Sequence, residues 1–284
     1  MSYATKSCVK PLCLTNDGKL ELFFLGVGSA FASQHRQTNF LIIKGDTHIM
    51  VDFGMTGPEA LRSNAGLEPT DIKTVLPTHS HADHVGGIEC LALMNRYVGQ
   101  RQGKPKLIMI TPGEYARILW DETLRGGLAR NEEISRTHTT LTLGDYFDTV
   151  TPRWKTHQPR EIFHINFGGI NLELFRTNHM PEQAAGWQAS FVSYGLLIDA
   201  RVLVSGDTQF DPELIKFYGP GAEVIFHDVQ FFTGGVHASL EELKTLPAEL
   251  EAKTLLMHYP DQWASQDISG FRGWAEEGVR YIFN

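Results

Sequence analysis

Cysteine is scarce in this chain. Cys8, Cys13 and Cys90 are odd in number, and no two of them form a C-x-x-C pair. A disulfide framework is therefore not expected, and a reducing cytoplasm fits best. Long apolar runs are missing as well. No stretch approaches the ~18–20 apolar residues that cross a membrane, and the opening MSYATKSCVKPLC lacks the apolar core of a signal peptide. The expectation is a soluble, cytoplasmic protein with no membrane partner. Positive charge is also short: 25 Lys and Arg stand against 33 Asp and Glu, a net charge of −8. That balance disfavours a protein whose main task is gripping a nucleic-acid backbone, since such binding rests on cations neutralising phosphates. Nor is there a linker rich in Pro, Gly or Ser. With 42% hydrophobic residues over 284 positions, one domain spanning 1–284 is expected.

What the chain does have is 78-THSHADHVGG-87. Three histidines and an aspartate fall within six residues, His79, His81, Asp83 and His84. A packed core would not choose them, because each imidazole and carboxylate needs its own partner when buried. A solvated face gives no reason for the spacing. A metal site does. His79 and His81 are two apart on an extended approach, so both project to one side. The glycines and apolar run that follow predict a helix starting near Asp83 or His84. That turn aims the next two side chains at a second point a few Å away. Two metals ~3.5–4 Å apart can hold a bridging hydroxide and clamp an in-line displacement.

The rest of the chain supplies the scaffold. Residues 20–30 read as a strand ending in a glycine loop, and 39–54 as a hairpin closing on Asp52. A helix is predicted around 57–66, a strand over 72–79, a helix over 86–99 and a strand over 106–110. The stretch 190–208 is again a hairpin, now closing on Asp207. It is followed by a helix near 212–218, a strand over 223–228, a helix near 239–251 and a strand over 254–259. Two halves of like plan predict two sheets packed face to face with helices outside. Between about 112 and 165 the sequence is polar and irregular. It reads as an insertion that forms a lid over a cleft.

Further ligand candidates stand where strands end: His179, Asp207 and His258. Each alone has an ordinary reading as a loop residue or turn cap; it is their company with the cluster that matters. Together, H-x-H-x-D-H, a later His, an Asp in G-D-T and a final His in M-H-Y resemble the metallo-β-lactamase superfamily, from about residue 20 to 260. The resemblance implies an α/β fold, an αββα sandwich of two mixed β-sheets with helices on the outer faces. It also implies that His79, His81 and His179 bind one metal, that Asp83, His84 and His258 bind the other, and that Asp207 bridges. Two divalent ions are expected, Zn first, with Mn or Fe also suited to such ligands.

That superfamily hydrolyses lactams, thioesters, lactones and phosphodiesters, so fold alone does not choose. The segment 224-VIFHDVQFFTGGVHASLEEL-243 is similar to the region of tRNase Z and related phosphodiesterases that carries a His-Glu-Ala-Thr motif and then a second His. Here His227-Asp228-Val229-Gln230 precedes His237-Ala238-Ser239, so Asp and Gln replace Glu and Thr. No basic Gly/Pro-rich arm for a tRNA is found. The reading is a metal-dependent hydrolase of a small phosphodiester, such as a cyclic nucleotide; a tRNA-type endoribonuclease, a lactone or ester hydrolase and a non-catalytic metal sensor are the alternatives. His237 is assigned as general acid with Asp228 orienting it, and Asp83 is counted as catalytic as well as a ligand. Ser29, Phe31 and Trp187 are the substrate-binding candidates, with core packing the alternative for the two aromatics. Asp52 is expected to hydrogen-bond beneath the site, and His138, His157 and His164 to lie outside it. Gly26-x-Gly28 is no dinucleotide motif, because Phe31 stands where the third glycine belongs. Oligomeric state is not legible, and a homodimer is compatible with the sequence.

Overall fold

A computed structural model describes residues 3–132, 140–157 and 159–284. Runs such as 20-LELFFLG-26 and 224-VIFHD-228 are mainly apolar, with Glu21, His227 and Asp228 the exceptions, and are buried at every position. Such strands need cover on both faces. They receive it as the inner members of two eight-stranded sheets. The first sheet runs Tyr3–Ser7, Val279–Phe283, Leu20–Gly26, Asn39–Lys44, Thr47–Val51, Thr74–Leu76, Leu107–Ile110 and Phe147–Val150. The second runs Gly273–Trp274, Thr254–Met257, Val224–Asp228, Val202–Val204, Tyr194–Ile198, Ile170–Arg176, Ile162–Phe167 and Arg153–Thr156. Each sheet is antiparallel through its hairpin and parallel beyond it. Both are mixed, as expected.

The period-2 rule assigns the faces. Leu196, Val202, Val204 and Phe226 point inward to the common core, where Phe24 and Phe226 meet across the sheets with centroids 4.9 Å apart. Phe175, Leu203 and Ile225 point outward and pack on Leu214, Ile215 and Tyr218 of the helix Pro212–Tyr218. That helix starts where sequence rules place it. Pro212 occupies its first turn, and the Asp211 side chain accepts from Leu214 N–H at 3.0 Å.

Two expectations need correction. The stretch 112–165 is not irregular throughout: it carries the helix Gly113–Ile118 and its continuation to Leu128, then the strands Phe147–Val150 and Arg153–Thr156. Tyr115, Leu119, Leu124 and Leu128 are buried at helical spacing beneath a polar outer face. The two strands form the outer edges of different sheets, so the segment is the crossing between them. The helix expected near 239–251 is two short ones, Leu240–Leu243 and Ala248–Glu251, broken at Pro247. His138 lies outside the described residues.

Candidate metal centre

The histidine segment follows the strand Thr74–Leu76. His81 is extended (φ −71°, ψ 149°) and precedes the helix Ala82–Val85, so the change of conformation falls between His81 and Asp83. A loop from the first hairpin packs hard against this helix. A Cβ at Gly54 would stand 1.8 Å from the Asp83 carbonyl oxygen, so only glycine permits the approach.

Seven side chains from the sequence reading converge. In one group His79 Nε2 and His179 Nε2 each lie 3.1 Å from His81 Nδ1, and 3.7 and 3.8 Å from Asp207 Oδ2. In the other, His84 Nε2 is 3.2 Å from both Asp83 Oδ2 and Asp207 Oδ2, and His258 Nε2 is 3.8 and 3.4 Å from the same two oxygens. Metal–nitrogen bonds of ~2.0–2.1 Å set ligand atoms ~3.3 Å apart around a tetrahedron. Both groups are near that spacing, and Asp207 Oδ2 belongs to each.

The polar atoms facing inward also fit a cation. His84 Nε2, His258 Nε2 and Asp207 Oδ2 are buried and meet no group in hydrogen-bond geometry among the described residues. Unpaired buried polar atoms are costly, and converging ones more so. The outward atoms are tied down: His84 Nδ1 to Asp52 Oδ2 at 2.7 Å, His179 Nδ1 to Val236 O at 2.8 Å, and His79 Nδ1 to Thr78 Oγ1 at 3.1 Å. Asp52 in turn accepts from Thr78 N–H and O–H at 2.7 and 2.8 Å. Such partners hold the rings for ligation. Asp52 thus supports the site from behind, as expected.

Electrostatics suit cation binding. Burial pushes the pKa of His79 well below the ordinary value and that of His179 to about 4, leaving both neutral. Burial opposes charge on Asp207 too, yet His258 and His84 hold its carboxyl well below the usual range. Asp83 is brought to about 2 against burial, chiefly by His84. His84 is held above the ordinary value, again against burial, by Asp207, Asp83 and Asp52; without a cation it carries the positive charge the carboxylates need.

Beside the two groups stands His237, one-fifth exposed, with ring centroids 4.9 Å from both His179 and His258. Its Nδ1 lies 2.9 Å from Asp228 Oδ2, which also accepts from Thr208 N–H at 3.1 Å. Burial disfavours the imidazolium, but Asp228 and Asp207 more than offset this and raise its pKa. His227 Nδ1 bonds the Asp228 carbonyl at 2.8 Å and lies 3.1 Å from Asp228 Oδ1, so it supports the same carboxylate.

The substrate candidates are less gathered. Ser29 N–H donates to Tyr259 O at 3.1 Å, beside His258. Phe31, for which core packing was the alternative, is 97% exposed. Trp187 sits under Arg176, 6.0 Å from its guanidinium, and shows no contact with the cluster among the described residues. His157 and His164 are on strands or loops of the second sheet's edge, away from the cluster. Sequence reading missed Phe191, which stacks on His81 at 5.1 Å and meets His79 edge-on at 5.8 Å. Only the folding back of the loop after His179 brings it there, and no spacing announces it.

A family model described as "Anti-Pycsar protein Apyc1" matches residues 20–281. The anti-Pycsar protein Apyc1 of Paenibacillus sp. (strain J14) is 35% identical over 257 residues, covering 89% of this chain and 93% of that one. Among solved structures, the metallo-β-lactamase fold protein YhfI from Bacillus subtilis superposes with a TM-score of 0.67 at 17% identity, covering 93% and 99% of the two chains. Human tRNase Z, short form, does so at 0.59 and 17%, covering 91% and 98%. At such identities the structures show the fold alone, and it is the metallo-β-lactamase fold. No helix among the described residues is long and apolar enough to cross a membrane. The protein is a metal-dependent hydrolase.

Proposed function

Because this chain belongs to the family of the anti-Pycsar protein Apyc1, we propose that it is a dinuclear phosphodiesterase acting on a cyclic nucleotide or a similarly small nucleotide-like diester. His79, His81 and His179 would hold one divalent ion, and Asp83, His84 and His258 the other, with Asp207 shared. Zn²⁺ suits these ligands first, and Mn or Fe can take them too. When bound, such a pair supplies positive charge to the phosphoryl oxygens and a nucleophile at neutral pH.

The chain's own residues do the rest. The observation that carries the reading is the 2.9 Å hydrogen bond between His237 Nδ1 and Asp228. A phosphodiester expels an alkoxide, which leaves poorly unless it is protonated. None of the seven ligands is free to give that proton. His237 is, because Asp228 fixes its ring and favours the imidazolium, leaving Nε2–H for the departing oxygen. Carboxylic ester and lactone hydrolysis would leave this pair idle. Ser29 and Phe31, on the loop against the His258 segment, are assigned to the nucleoside.

A panel of 3′,5′- and 2′,3′-cyclic nucleotides, linear dinucleotides, precursor tRNA and a lactone, assayed at saturating metal, tests this. A cyclic nucleotide should be turned over fastest. Precursor tRNA cut at a comparable rate, or a lactone opened faster than any diester, would overturn the reading.

A further inference from the structure

Gln230 lies two residues beyond Asp228 and is buried, in the place where the similar phosphodiesterase motif has Thr. Its backbone N–H donates to the Ala238 carbonyl at 2.8 Å, and its carbonyl accepts from Leu240 N–H at 2.9 Å. These two bonds close the neck of a loop that runs from Phe231 to His237. The loop brings two groups to the site. Val236 O meets His179 Nδ1 at 2.8 Å, and His237 Nδ1 meets Asp228 Oδ2 at 2.9 Å.

The Gln230 side chain turns into this loop. Its amide nitrogen donates to Phe232 O at 2.9 Å and to Gly234 O. Two carbonyl acceptors use both N–H groups and fix which way the amide points. Gly234 and Gly235, at φ 78° and 88°, carry the chain around the amide. A Cβ at Gly235 would stand 3.1 Å from Gln230 Oε1, so loop and amide fit closely. Threonine, with one donor on a shorter side chain, does not serve two carbonyls. On the outside of the loop, the exposed Glu182 accepts from Gly235 N–H at 2.8 Å.

We propose that Gln230 is a positioning residue for the acid step. The proposal rests on the reading of His237 as the proton donor. Backbone bonds already shut the neck, so the amide acts on the loop's interior, residues 232–236. Two glycines just before His237 would leave it on a slack tether; the amide takes up that slack. Asp228 fixes the ring at Nδ1, and the loop fixes it at Cα. With both ends held, Nε2 has one place to point. Proton transfer is sensitive to such placement, since a shift of about 1 Å can cost on the order of 10²-fold.

The test compares two substrates on the full chain at saturating metal: the cyclic nucleotide turned over fastest, which expels an alkoxide, and bis(p-nitrophenyl) phosphate. Gln230→Met, which keeps the length and loses the amide, should slow the cyclic nucleotide about ten-fold more than the p-nitrophenyl diester. In a His237→Ala background the same change should add less than about two-fold, because the group it positions is gone. Glu182→Ala releases the loop from outside and should shift the ratio of rates the same way by less. An unchanged ratio in Gln230→Met, or in Glu182→Ala should Gln230→Met not fold, would overturn the proposal. So would equal slowing of both substrates with metal lost on elemental analysis, which would place the effect at His179. A full additional loss in the His237→Ala background would overturn it too. Equal losses in His237→Ala itself would sink the acid assignment and this proposal with it, whereas unequal losses there beside an unchanged ratio in Gln230→Met would sink this proposal alone.

Discussion

In the first half of the sandwich the hairpin Asn39–Lys44 and Thr47–Val51 hands the chain to Asp52; in the second, Tyr194–Ile198 and Val202–Val204 hand it to Asp207. Both carboxylates are buried, and they do different things. Asp52 itself takes the left-handed turn at φ 59°, and its side chain goes behind His84. In the second half Gly206 takes that turn at φ 63°, and Asp207 comes one residue later, with Oδ2 between the two ligand groups. A Cβ at Gly206 would lie 2.5 Å from the Tyr194 carbonyl oxygen, so the position is closed to other residues. An offset of one residue thus separates a carboxylate that steadies a ligand from one that faces the metals. A non-glycine residue at positive φ costs energy, and Asp52 and His258 (φ 57°) both bear that strain at the site.

If the two aspartates differ in this way, Asp207→Ala should be the most damaging single change. It removes the one carboxylate common to both groups, whose cations would otherwise repel unscreened. Elemental analysis after dialysis should find neither ion retained, and turnover should fall by about 10³-fold or more at any metal concentration. Two ions still bound per chain would break the assignment of Asp207 as the shared ligand.

A second Asp–His pair sharpens the comparison. Asp228 holds His237 as Asp52 holds His84, but among the described residues the far nitrogen of His237 has no carboxylate within ion-pair distance, and the proposed function assigns it to the substrate. His237→Ala should therefore keep both metals and slow a diester with an alkyl leaving group by roughly 10²–10⁴-fold. A p-nitrophenyl diester, whose leaving group needs little protonation, should suffer much less. Equal losses on the two substrates would show that His237 positions the phosphate and is not the acid.

The first-half ligands were legible because four of them lie within six residues, and a local change from extended chain to helix is enough to divide them between two points. Asp207 was legible through its hairpin, which repeats the pattern of 39–54. The supports of the site were harder. Val236 reaches His179 through its carbonyl, which every residue has, and Phe191 reaches His81 only through loop packing. In 112–165 the polar outer face hid a run of buried positions from Tyr115 to Leu128. Pro247 was in plain view as the break in the 239–251 helix, and apolar spacing on either side outweighed it in the reading.

Asp52→Asn should have the smallest effect of the three and the most specific one. Asp52 Oδ2 accepts from His84 Nδ1–H at 2.7 Å, which makes Nε2, between Asp83 and Asp207, the nitrogen that gives up its proton when a cation binds. An asparagine keeps the shape and can still accept from Thr78. It loses the charge, and it can turn its amide N–H toward His84, favouring the tautomer with the proton on Nε2. That proton must leave before a cation binds. Loss of such an outer partner typically lowers metal affinity about 10–100-fold. Chelator-competition titration should show one of the two ions weakened by this factor, and turnover should recover as free metal is raised. Asp207→Ala should not recover under the same titration. Two ions held as tightly as in the wild type, or a loss of turnover that excess metal fails to restore in a variant with an unchanged melting temperature, would mean that Asp52 acts on the chemistry itself.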